Sequence, residues 1–421
     1  MLLPEEFVQY TRELMGDERF DRYLESFSEE PPVSIRLNPL KTKDGRWRVT
    51  GGESVPWCRD GYYLRRRPNF TFDPLLHAGC YYVQEAASMF LDTVLRQLLP
   101  TVNRKSPNGR CLDLCAAPGG KSTLMRTLLP EGSVLYSNEP VRQRASILLE
   151  NITKWGWPDC IVTNSYPRDY RRAKLLFDVI LCDVPCSGEG MFRKDAATIG
   201  EWSPQNVEKC WRLQREIVSD AWPCLCDGGL FIYSTCTFNT KENEENIRWI
   251  CDEFDAEVLP VETRLEWNIT GSLLSGFAAP VYRFIPGISR GEGLFMAVLR
   301  KKEKGGAGSE RPDYTGGRKK ANRGTDMLNV LGNQPSHLPP LNAHPPHRVE
   351  LSYQQAMAFL RREALTLPED TPLGIVEVCF LGQSLGTVKN IGTRANNLYP
   401  KEWKIKTTHI PNSYEAILET T

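Results

Sequence analysis

The sequence has no apolar run long enough to cross a membrane. A transmembrane helix needs about 20 apolar residues in a row, and no run in this 421-residue chain approaches that length. The first residues, Met-Leu-Leu-Pro-Glu-Glu, lack the basic region and apolar stretch of a secretory signal. We therefore expect a cytoplasmic protein that neither spans a membrane nor is secreted.

An excess of charge of either sign is also missing. Lys and Arg together number 52, and so do Asp and Glu, so no global field attracts nucleic acid. Any RNA-binding surface must come from local segregation of basic residues. Residues 301–324 are such a segment, with eight basic side chains against three acidic ones among six glycines. We interpret them as a flexible basic linker, either a solvated tether or an arm that contacts phosphates.

The thirteen cysteines lack the paired spacing of a disulfide framework. Their number is odd and most lie inside apolar runs, which indicates reduced thiols. The spacings Cys182-x3-Cys186 and Cys224-x-Cys226 are not those of metal ligands, and the chain has only five histidines. We predict no metal site.

What the chain does contain is a regular alternation of strand and helix patterns. Apolar runs predict strands at 110–114, 133–137, 160–163, 177–182 and 230–233, and helical periodicity predicts helices at 122–129, 142–155, 204–226 and 241–253. This rhythm is typical of an α/β fold with a parallel, doubly wound sheet. We assign residues 81–300 to this domain, with a closing strand at 293–299.

Smaller units are predicted on either side of this domain. Residues 1–80 combine helical periodicity with a strand at 34–39 and form an N-terminal α+β extension, after which a helix is predicted at 82–99. Residues 325–421 hold a predicted helix at 352–363 and strands at 374–380, 384–389 and 403–406, which indicate a small β-rich module. In the extension, Arg65, Arg66 and Arg67 beside aromatic residues are either RNA contacts or an ordinary solvated edge.

One predicted strand ends in a glycine-rich turn, Leu112-Asp-Leu-Cys-Ala-Ala-Pro-Gly-Gly-Lys-Ser122. Paired glycines let the backbone approach a ligand closely, and the start of the next helix offers unpaired N–H groups. The spacing matches neither a P-loop nor the dinucleotide fingerprint. Glu139 follows the next strand, where an acid accepts hydrogen bonds from ribose hydroxyls. A nucleoside cofactor without a pyrophosphate fits these features, and we predict S-adenosylmethionine.

Two other strand patterns end near a thiol. Asp183 and Cys186 follow one apolar run, and Cys236 follows another. The carboxyl ends of parallel strands form the ligand-binding edge of an open α/β sheet. We therefore expect the two thiols to face one substrate.

Three motifs resemble those of the RNA cytosine-5 methyltransferases, closest to the bacterial branch that acts on small-subunit (16S) ribosomal RNA. They read Asp113-Leu-Cys-Ala-Ala-Pro-Gly-Gly-Lys121, Asp183-Val-Pro-Cys-Ser-Gly-Glu-Gly-Met-Phe-Arg-Lys-Asp195 and Tyr233-Ser-Thr-Cys-Thr-Phe-Asn-Thr-Lys-Glu-Asn-Glu244. The similarity extends from Asn38 to about Lys406. It implies a Rossmann-like S-adenosylmethionine methyltransferase domain, a C-terminal PUA-like RNA-binding module, and a monomer that binds RNA.

The resemblance also implies roles for individual residues. The cofactor would be surrounded by Cys115, Ala116, Ala117, Pro118, Gly119, Gly120 and Lys121, with further contacts from Glu139, Arg144 and Asp183. Cys236 would attack carbon 6 of cytosine, and Cys186 would act in product release. From residue chemistry alone the order of the two thiols stays open, because the DNA cytosine-5 enzymes use the Pro-Cys thiol, which here is Cys186.

Two residues beside these thiols have competing interpretations. Asp183 either hydrogen-bonds N3 of the cytosine ring or only caps the end of its strand. Lys121 either favours the thiolate of Cys236 or serves as a cap or phosphate contact. In the C-terminal module we predict RNA contacts from Lys389, Arg394, Asn396 and Asn397, with an ordinary polar face as the alternative.

The chain departs from the family pattern at two places. Many relatives have an aspartate near the adenine, where this chain has Asn164-Ser165. Relatives often have Pro-His before the Gly-Glu-Gly strand, whereas Pro286 here is followed by Gly287. No adenine contact is therefore assigned to Asn164-Ser165, and no histidine is assigned at the second place.

The leading hypothesis is an enzyme that forms 5-methylcytosine in 16S ribosomal RNA through a covalent bond between cysteine and carbon 6. Carbon 5 of cytosine is a weak nucleophile, and covalent catalysis activates it. A base inside a helix is unreachable, so the target must be flipped out or unpaired. The alternatives are a transfer RNA methyltransferase and a non-catalytic RNA-binding assembly factor.

Overall fold

The computed structural model describes residues 3–102, 109–303, 327–331, 347–407 and 409–420. Most of the predicted basic linker lies outside these ranges, so its interpretation stays a prediction. The α-helices are α1 (Glu5–Met15), α2 (Asp17–Glu25), α3 (Pro39–Thr42), α4 (Pro74–His77), α5 (Leu91–Leu98), α6 (Gly120–Leu128), α7 (Arg142–Trp155), α8 (Pro167–Arg172), α9 (Ala197–Glu201), α10 (Pro204–Ala221), α11 (Glu244–Phe254) and α12 (Tyr353–Leu360).

The strands belong to four sheets. They are β1 (Val33–Leu37), β2 (Trp47–Val49), β3 (Glu53–Ser54), β4 (Gly61–Leu64), β5 (Tyr81–Val83), β6 (Arg110–Asp113), β7 (Val134–Asn138), β8 (Cys160–Thr163), β9 (Phe177–Asp183), β10 (Leu225–Thr235), β11 (Ala256–Val258), β12 (Tyr282–Phe284), β13 (Leu294–Lys301), β14 (Arg348–Glu350), β15 (Gly374–Phe380), β16 (Gln383–Asn390), β17 (Ala395–Asn397) and β18 (Leu418–Thr420).

The largest sheet has the strand order β11-β13-β10-β9-β6-β7-β8, with β12 paired to β13. The five strands from β10 to β8 are parallel, as predicted. The closing strand β13 runs antiparallel to β10, and β11 and β12 pair with it in the same sense. The sheet is therefore mixed, with an antiparallel edge next to the strand that precedes Cys236.

Both faces of this sheet are covered, which explains the continuous apolar runs of its strands. Along β9, Val179 belongs to the core cluster that includes Leu124 of α6, and the next residue, Ile180, belongs to the cluster that includes Tyr170 of α8 and Ile217 of α10. The carboxyl ends of the parallel strands are thereby held at one edge.

The N-terminal and C-terminal parts of the chain share a hydrophobic core. One cluster combines Ile35 and Leu75 of the N-terminal part with Met357 and Val378 of the C-terminal part. The N-terminal sheet has the order β3-β4-β1-β5 and the C-terminal sheet the order β14-β15-β16-β17, while β18 pairs with β2. The two ends of the chain therefore fold against each other.

A short segment after the undescribed linker lies on the edge of the large sheet. Val330 forms an isolated antiparallel bridge with Thr163 of β8, and Leu331 donates to the carbonyl oxygen of Val162 at 2.9 Å. Residues 327–331, near the start of the C-terminal module predicted at 325–421, therefore pack on the edge of the large sheet.

Three predicted elements differ from the structure. The helix expected at 82–99 is a strand to Val83 and becomes an α-helix only at Leu91. The helix expected at 204–226 ends at Ala221, because Pro223 cannot continue the backbone hydrogen-bond pattern. The strand expected at 403–406 is wrong: a 3-10 turn ends at Trp403, and the Ile405 N–H bonds to the carbonyl oxygen of Leu360 instead of to a strand.

No helix among the residues that the structure describes is both long enough and apolar enough to cross a membrane.

Candidate active site

The glycine-rich turn connects β6 to α6 at the carboxyl edge of the large sheet. Gly119 has a φ of 116°, a left-handed conformation that favours glycine. Two side chains of α7 hold the turn from outside: Arg144 donates to the carbonyl oxygen of Ala117 at 3.2 Å, and Asn151 donates to that of Pro118 at 2.8 Å. The peptide bond between Ala117 and Pro118 is cis. The hydrogen bonds from Arg144 and Asn151 thus anchor the backbone of the turn to α7.

Asp113 lies under this turn and is fully buried. One carboxylate oxygen accepts a hydrogen bond from the Ser122 hydroxyl at 2.6 Å, and the other has no hydrogen-bond partner among the described residues. Burial raises the pKa of Asp113 to about 7, and the nearby negative charge of Asp183 adds to the effect. An unpartnered buried oxygen of this kind fits a site that receives a polar ligand.

Glu139 and Arg144 lie beside the turn, where the sequence analysis expects them. One Glu139 oxygen accepts from the backbone N–H of Val141 at 2.9 Å, and the other is 3.4 Å from the Arg144 guanidinium. The two residues and Cys115 line a cavity of about 340 Å³, which also includes Pro140 and several apolar side chains. This cavity has the mixed apolar and acidic lining that a nucleoside requires.

A second cavity, of about 490 Å³, adjoins the first. Cys115 and Arg144 line both cavities, and the larger one extends to Lys121, Asp183 and Cys236. Its far wall is formed in part by Glu292 and Lys194. The cavity beside Glu139 and the cavity of the predicted reacting groups therefore meet at Cys115 and Arg144.

Asp183 and Lys121 form an ion pair inside the larger cavity. The Lys121 Nζ is 2.8 Å from one Asp183 oxygen, and the Ser234 hydroxyl donates to the other at 2.6 Å. Burial opposes the charge of Lys121, but the attraction of Asp183, Asp113 and Cys236 leaves the pKa of Lys121 raised. The ammonium group therefore remains charged and lies where it stabilises a negative charge on the sulfur of Cys236.

The two predicted thiols are next to each other. The sulfur atoms of Cys186 and Cys236 are 3.0 Å apart, and the backbone N–H of Cys236 donates to the Cys186 sulfur at 3.3 Å. The hydrogen bond with Cys236 and burial both raise the pKa of the Cys186 thiol well above its usual value, and the charge of Glu242 raises it further. The contact places both thiols within reach of a single base.

Two buried glutamates bind the loops that carry these thiols, and the sequence analysis missed both. Glu189 accepts hydrogen bonds from the backbone N–H groups of Phe238 and Asn239 at 2.7 and 2.9 Å. Glu242 accepts from the backbone N–H of Ser187 at 3.1 Å. Both acids lie within the quoted motifs, but a glutamate among polar residues is usually solvated, so only their burial reveals the role.

At Asn164-Ser165, where many relatives have an aspartate near the adenine, both side chains form hydrogen bonds with the backbone. The amide of Asn164 donates to the carbonyl oxygens of Glu139 and Pro140, each at 2.8 Å. The hydroxyl of Ser165 accepts from the backbone N–H of Asn329 at 3.1 Å. Both polar side chains therefore shape the wall near Glu139.

The four predicted RNA contacts of the C-terminal module lie on or between β16 and β17. Lys389 and Arg394 are exposed, and Asn396 is half-buried. The amide nitrogen of Asn397 donates to the carbonyl oxygens of Phe359 and Glu363 at 2.8 and 2.9 Å. These internal bonds favour the structural alternative for Asn397.

In the N-terminal part, Arg66 is 2.6 Å from Glu415, so this cation is partly neutralised by an ion pair.

Within the described ranges, no three side chains of His, Cys, Asp or Glu come together as metal ligands. The prediction that the protein binds no metal stays a prediction.

Three family models match the chain one after another. The model described as the N-terminal domain of the 16S rRNA methyltransferase RsmF matches residues 3–86, that of the 16S rRNA methyltransferase RsmB/F matches residues 100–300, and that of the methyltransferase RsmF PUA domain matches residues 346–405. The chain belongs to the RsmB/F methyltransferase family. The catalytic-domain match of this RsmB/F member contains the glycine-rich turn, Asp183 and both thiols.

Curated relatives of this RsmB/F chain carry the name ribosomal RNA small subunit methyltransferase F. Those from Cronobacter sakazakii and Escherichia coli are each 32% identical to it, over 318 and 319 residues. The alignments cover 71% of this chain and only 63% and 64% of the two relatives. The matched region is therefore less than two thirds of the length of these relatives.

Solved structures share the fold. A methyltransferase homolog protein from Pyrococcus horikoshii is 26% identical, with a TM-score of 0.58 and coverage of 71% of this chain and 95% of that one. NSun6 from the same organism, solved with SFG, is 20% identical, with a TM-score of 0.57 and coverage of 72% and 99%. The Rossmann-like domain and the PUA-like module predicted from the sequence are confirmed.

Proposed function

We propose that this protein transfers a methyl group from S-adenosylmethionine to carbon 5 of a cytosine in RNA, with 16S ribosomal RNA as the substrate. The observation that carries the proposal is the pair of thiols with sulfur atoms 3.0 Å apart, of which Cys236 lines the cavity that also contains Lys121 and Asp183. A protein that only binds RNA has no need of two adjacent thiols beside a partly buried ion pair. The names of the relatives support the choice of ribosomal RNA.

In this reaction the sulfur of Cys236 bonds to carbon 6 of cytosine, which makes carbon 5 nucleophilic. Lys121 stabilises the attacking thiolate, and a proton shared between the carboxyl group of Asp183 and N3 of the ring links the two as charge develops at N3. The bound cofactor supplies the electrophilic methyl group. A base then removes the proton from carbon 5, the bond between Cys236 and carbon 6 breaks, and the sulfur leaves as a thiolate. Cys186 assists this release.

The residues around the turn fit the cofactor. The sulfonium and amino acid end of S-adenosylmethionine would lie along Cys115, Ala116, Ala117, Pro118, Gly119, Gly120 and Lys121 in the larger cavity. Glu139 would accept hydrogen bonds from the ribose hydroxyls, with Arg144 beside it. The unpartnered oxygen of buried Asp113 is a further acceptor under the turn.

We assign RNA binding to the parts that flank the catalytic domain. Residues 1–80 form an N-terminal extension, residues 81–300 the catalytic domain, residues 301–324 a basic linker, and residues 325–421 a PUA-like module. The exposed cations Lys389 and Arg394 support RNA contact by that module, together with Asn396. The protein acts as a cytoplasmic monomer.

The test is methyl transfer from labelled S-adenosylmethionine to three substrates: naked 16S ribosomal RNA, assembled small subunits and bulk transfer RNA. We expect label at cytosine carbon 5 in ribosomal RNA, identified as 5-methylcytidine by mass spectrometry of nucleosides. Label in transfer RNA alone would mean that transfer RNA, not ribosomal RNA, is the substrate, while the proposed reaction would stand. Binding of RNA with no label in any of the three would leave the assembly-factor alternative.

A further inference from the structure

The two thiol-bearing loops are joined by a buried network with two carboxylates. The loop after β9 carries Cys186, and the loop after β10 carries Cys236. Gly190 of the first loop donates its backbone N–H to the Cys236 carbonyl oxygen at 2.7 Å, and the hydroxyls of Ser187 and Thr237 are 2.8 Å apart. These bonds fix the separation of the two sulfur atoms.

Glu242 lies at the centre of this network and is fully buried. One oxygen accepts from the backbone N–H of Ser187 at 3.1 Å and from the Gln214 amide at 2.6 Å, while the other accepts from the Asn239 amide at 2.7 Å. Ser187 is the neighbour of Cys186, and Asn239 belongs to the loop of Cys236. A single carboxylate thus holds both loops, and its three donors offset part of the cost of burying its charge.

The charges on the two sides of the thiol pair have opposite signs. The hydrogen bond with Cys236 and burial raise the pKa of the Cys186 thiol, and the charge of Glu242 raises it further. On the other side, the Lys121 ammonium and the Cys236 sulfur attract each other electrostatically. The pair is therefore polarised, with the negative charge favoured on Cys236.

We infer that Glu242 is a positioning residue: its carboxylate binds both thiol loops and keeps a negative charge beside Cys186, so that Cys236 is the sulfur that becomes charged. The consequence for turnover rests on the proposed function. The charge distribution over the two thiols does not rest on the proposed function, because it is a property of the protein without substrate.

The titratable groups around Glu242 come from three elements. Glu189 and Cys186 face it from the loop after β9, Cys210 from α10, and Tyr233 from β10. Burial, followed by the charge of Glu189, raises the pKa of Glu242 to about 7. Glu242 therefore loses its charge when the pH falls below about 7, which offers a test without any substitution.

The experiment measures alkylation of the full-length protein by iodoacetamide, without RNA or cofactor. Initial rates at Cys236 and Cys186 are obtained by mass spectrometry of peptides, and their ratio reports which sulfur is the thiolate. Above pH 7, where Glu242 is charged, we expect Glu242→Gln to lower this ratio about tenfold, because Cys186 no longer faces a negative charge that disfavours its thiolate. Glu253→Gln removes the same charge from an exposed position of α11 and should leave the ratio unchanged. Glu242→Asp keeps the charge and should restore most of the ratio.

A pH series on the unsubstituted protein tests the same point if Glu242→Gln does not fold. Below the pKa values of both thiols, each thiolate population falls by the same factor per pH unit, so the ratio is constant unless another group titrates. We expect the ratio to fall between about pH 7.5 and about pH 5.5, as Glu242 is protonated, and to fall equally in Asp113→Asn, which removes the other carboxyl whose pKa is raised to about 7. A constant ratio, or an unchanged ratio in folded Glu242→Gln, would overturn the inference.

Methyl transfer by the same preparations separates this inference from the proposed function. We expect Glu242→Gln to lower kcat and to leave KM for S-adenosylmethionine unchanged, because Glu242 lines neither cavity of the cofactor path. An unsubstituted protein that transfers no methyl group but shows the expected alkylation ratios would refute the function alone. An active enzyme whose ratio does not depend on Glu242 would refute the inference alone.

Discussion

At the scale of single residues, the contact between the sulfur atoms of Cys186 and Cys236 makes their roles testable by truncation. We expect Cys236→Ala to abolish methyl transfer without trapping RNA, because no thiolate then adds to carbon 6. We expect Cys186→Ala to accumulate a covalent protein–RNA adduct, because release is impaired after addition. The measurement is a denaturing gel with labelled RNA, which separates the adduct from free protein.

The matched control for both truncations is Cys210→Ala, which removes a partly exposed thiol of α10 that lines neither cavity. It should retain methyl transfer and form no stable adduct. An adduct in the Cys236 variant, with none in the Cys186 variant, would reverse the assignment of the two thiols. Cys186 would then be the nucleophile, as the Pro-Cys thiol is in the DNA cytosine-5 enzymes.

Sequence patterns locate the reacting side chains because these side chains follow apolar runs. Asp183, Cys186 and Cys236 each lie just after a buried strand, and parallel strands bring such positions to one edge. The order of the thiols does not follow from this, because it depends on charges that the fold brings together. Lys121 and Glu242 flank the pair from different segments of the chain.

At the scale of elements, the spacing between the two thiol loops depends on a glycine. A Cβ atom at Gly190 would be 2.5 Å from the Cys236 carbonyl oxygen and 2.6 Å from the Cα atom of Gly293. Both are backbone atoms, so Gly190→Ala must push the loops apart. We expect methyl transfer to fall about 100-fold, the usual cost of misplacing reacting groups by about 1 Å.

Steady-state kinetics and thermal unfolding of the same preparation test this expectation. Gly200→Ala is the matched control, because a Cβ atom at that position of α9 meets nothing within 4 Å. The control should keep the activity of the unsubstituted protein. If Gly190→Ala is folded and as active as the control, the separation of the loops does not limit the reaction.

The elements that sequence periodicity predicts well belong to the large sheet and the helices that cover it. The helix at Arg142–Trp155 and the strand at Cys160–Thr163 have the predicted bounds. The errors lie where a tertiary partner decides the conformation. The residues that follow Val83 have a helical pattern of apolar side chains, so the pattern predicts a helix that begins at residue 82. The segment Tyr81–Val83 instead pairs with β1, and this pairing cannot be derived from local sequence.

At the scale of the whole molecule, the two ends of the chain depend on each other. Leu418 of β18 pairs with Val49 of β2, and the hydroxyl of Tyr414 donates to Asp73 at 3.2 Å. Residues more than 340 positions apart meet in these contacts, and no sequence period reports a pairing of that range. The N-terminal extension and the C-terminal module therefore should not be treated as independent RNA-binding units.

The stability of this contact between the N-terminal and C-terminal parts of the chain should depend on pH through Asp73. Asp73 is buried and accepts hydrogen bonds from Tyr81, Tyr414 and the backbone N–H of Leu75, yet burial raises its pKa to about 6. A carboxyl with a raised pKa binds its proton more tightly in the folded state. Its contribution to the free energy of unfolding is therefore largest below about pH 4 and is lost as the pH rises through about 6.

We expect Asp73→Asn, which still caps α4 but cannot ionise, to remove this dependence. Relative to the variant, the unsubstituted protein should lose on the order of 2 to 3 kcal/mol between pH 4 and pH 7, the equivalent of about two pKa units. Urea unfolding at both pH values measures the difference, with Asp370→Asn at an exposed site as control. If the free energy of unfolding changes with pH in the same way for Asp73→Asn and for the unsubstituted protein, the prediction is wrong. Asp73 is then ionised in the folded protein, and its three hydrogen-bond donors outweigh the desolvation of its charge.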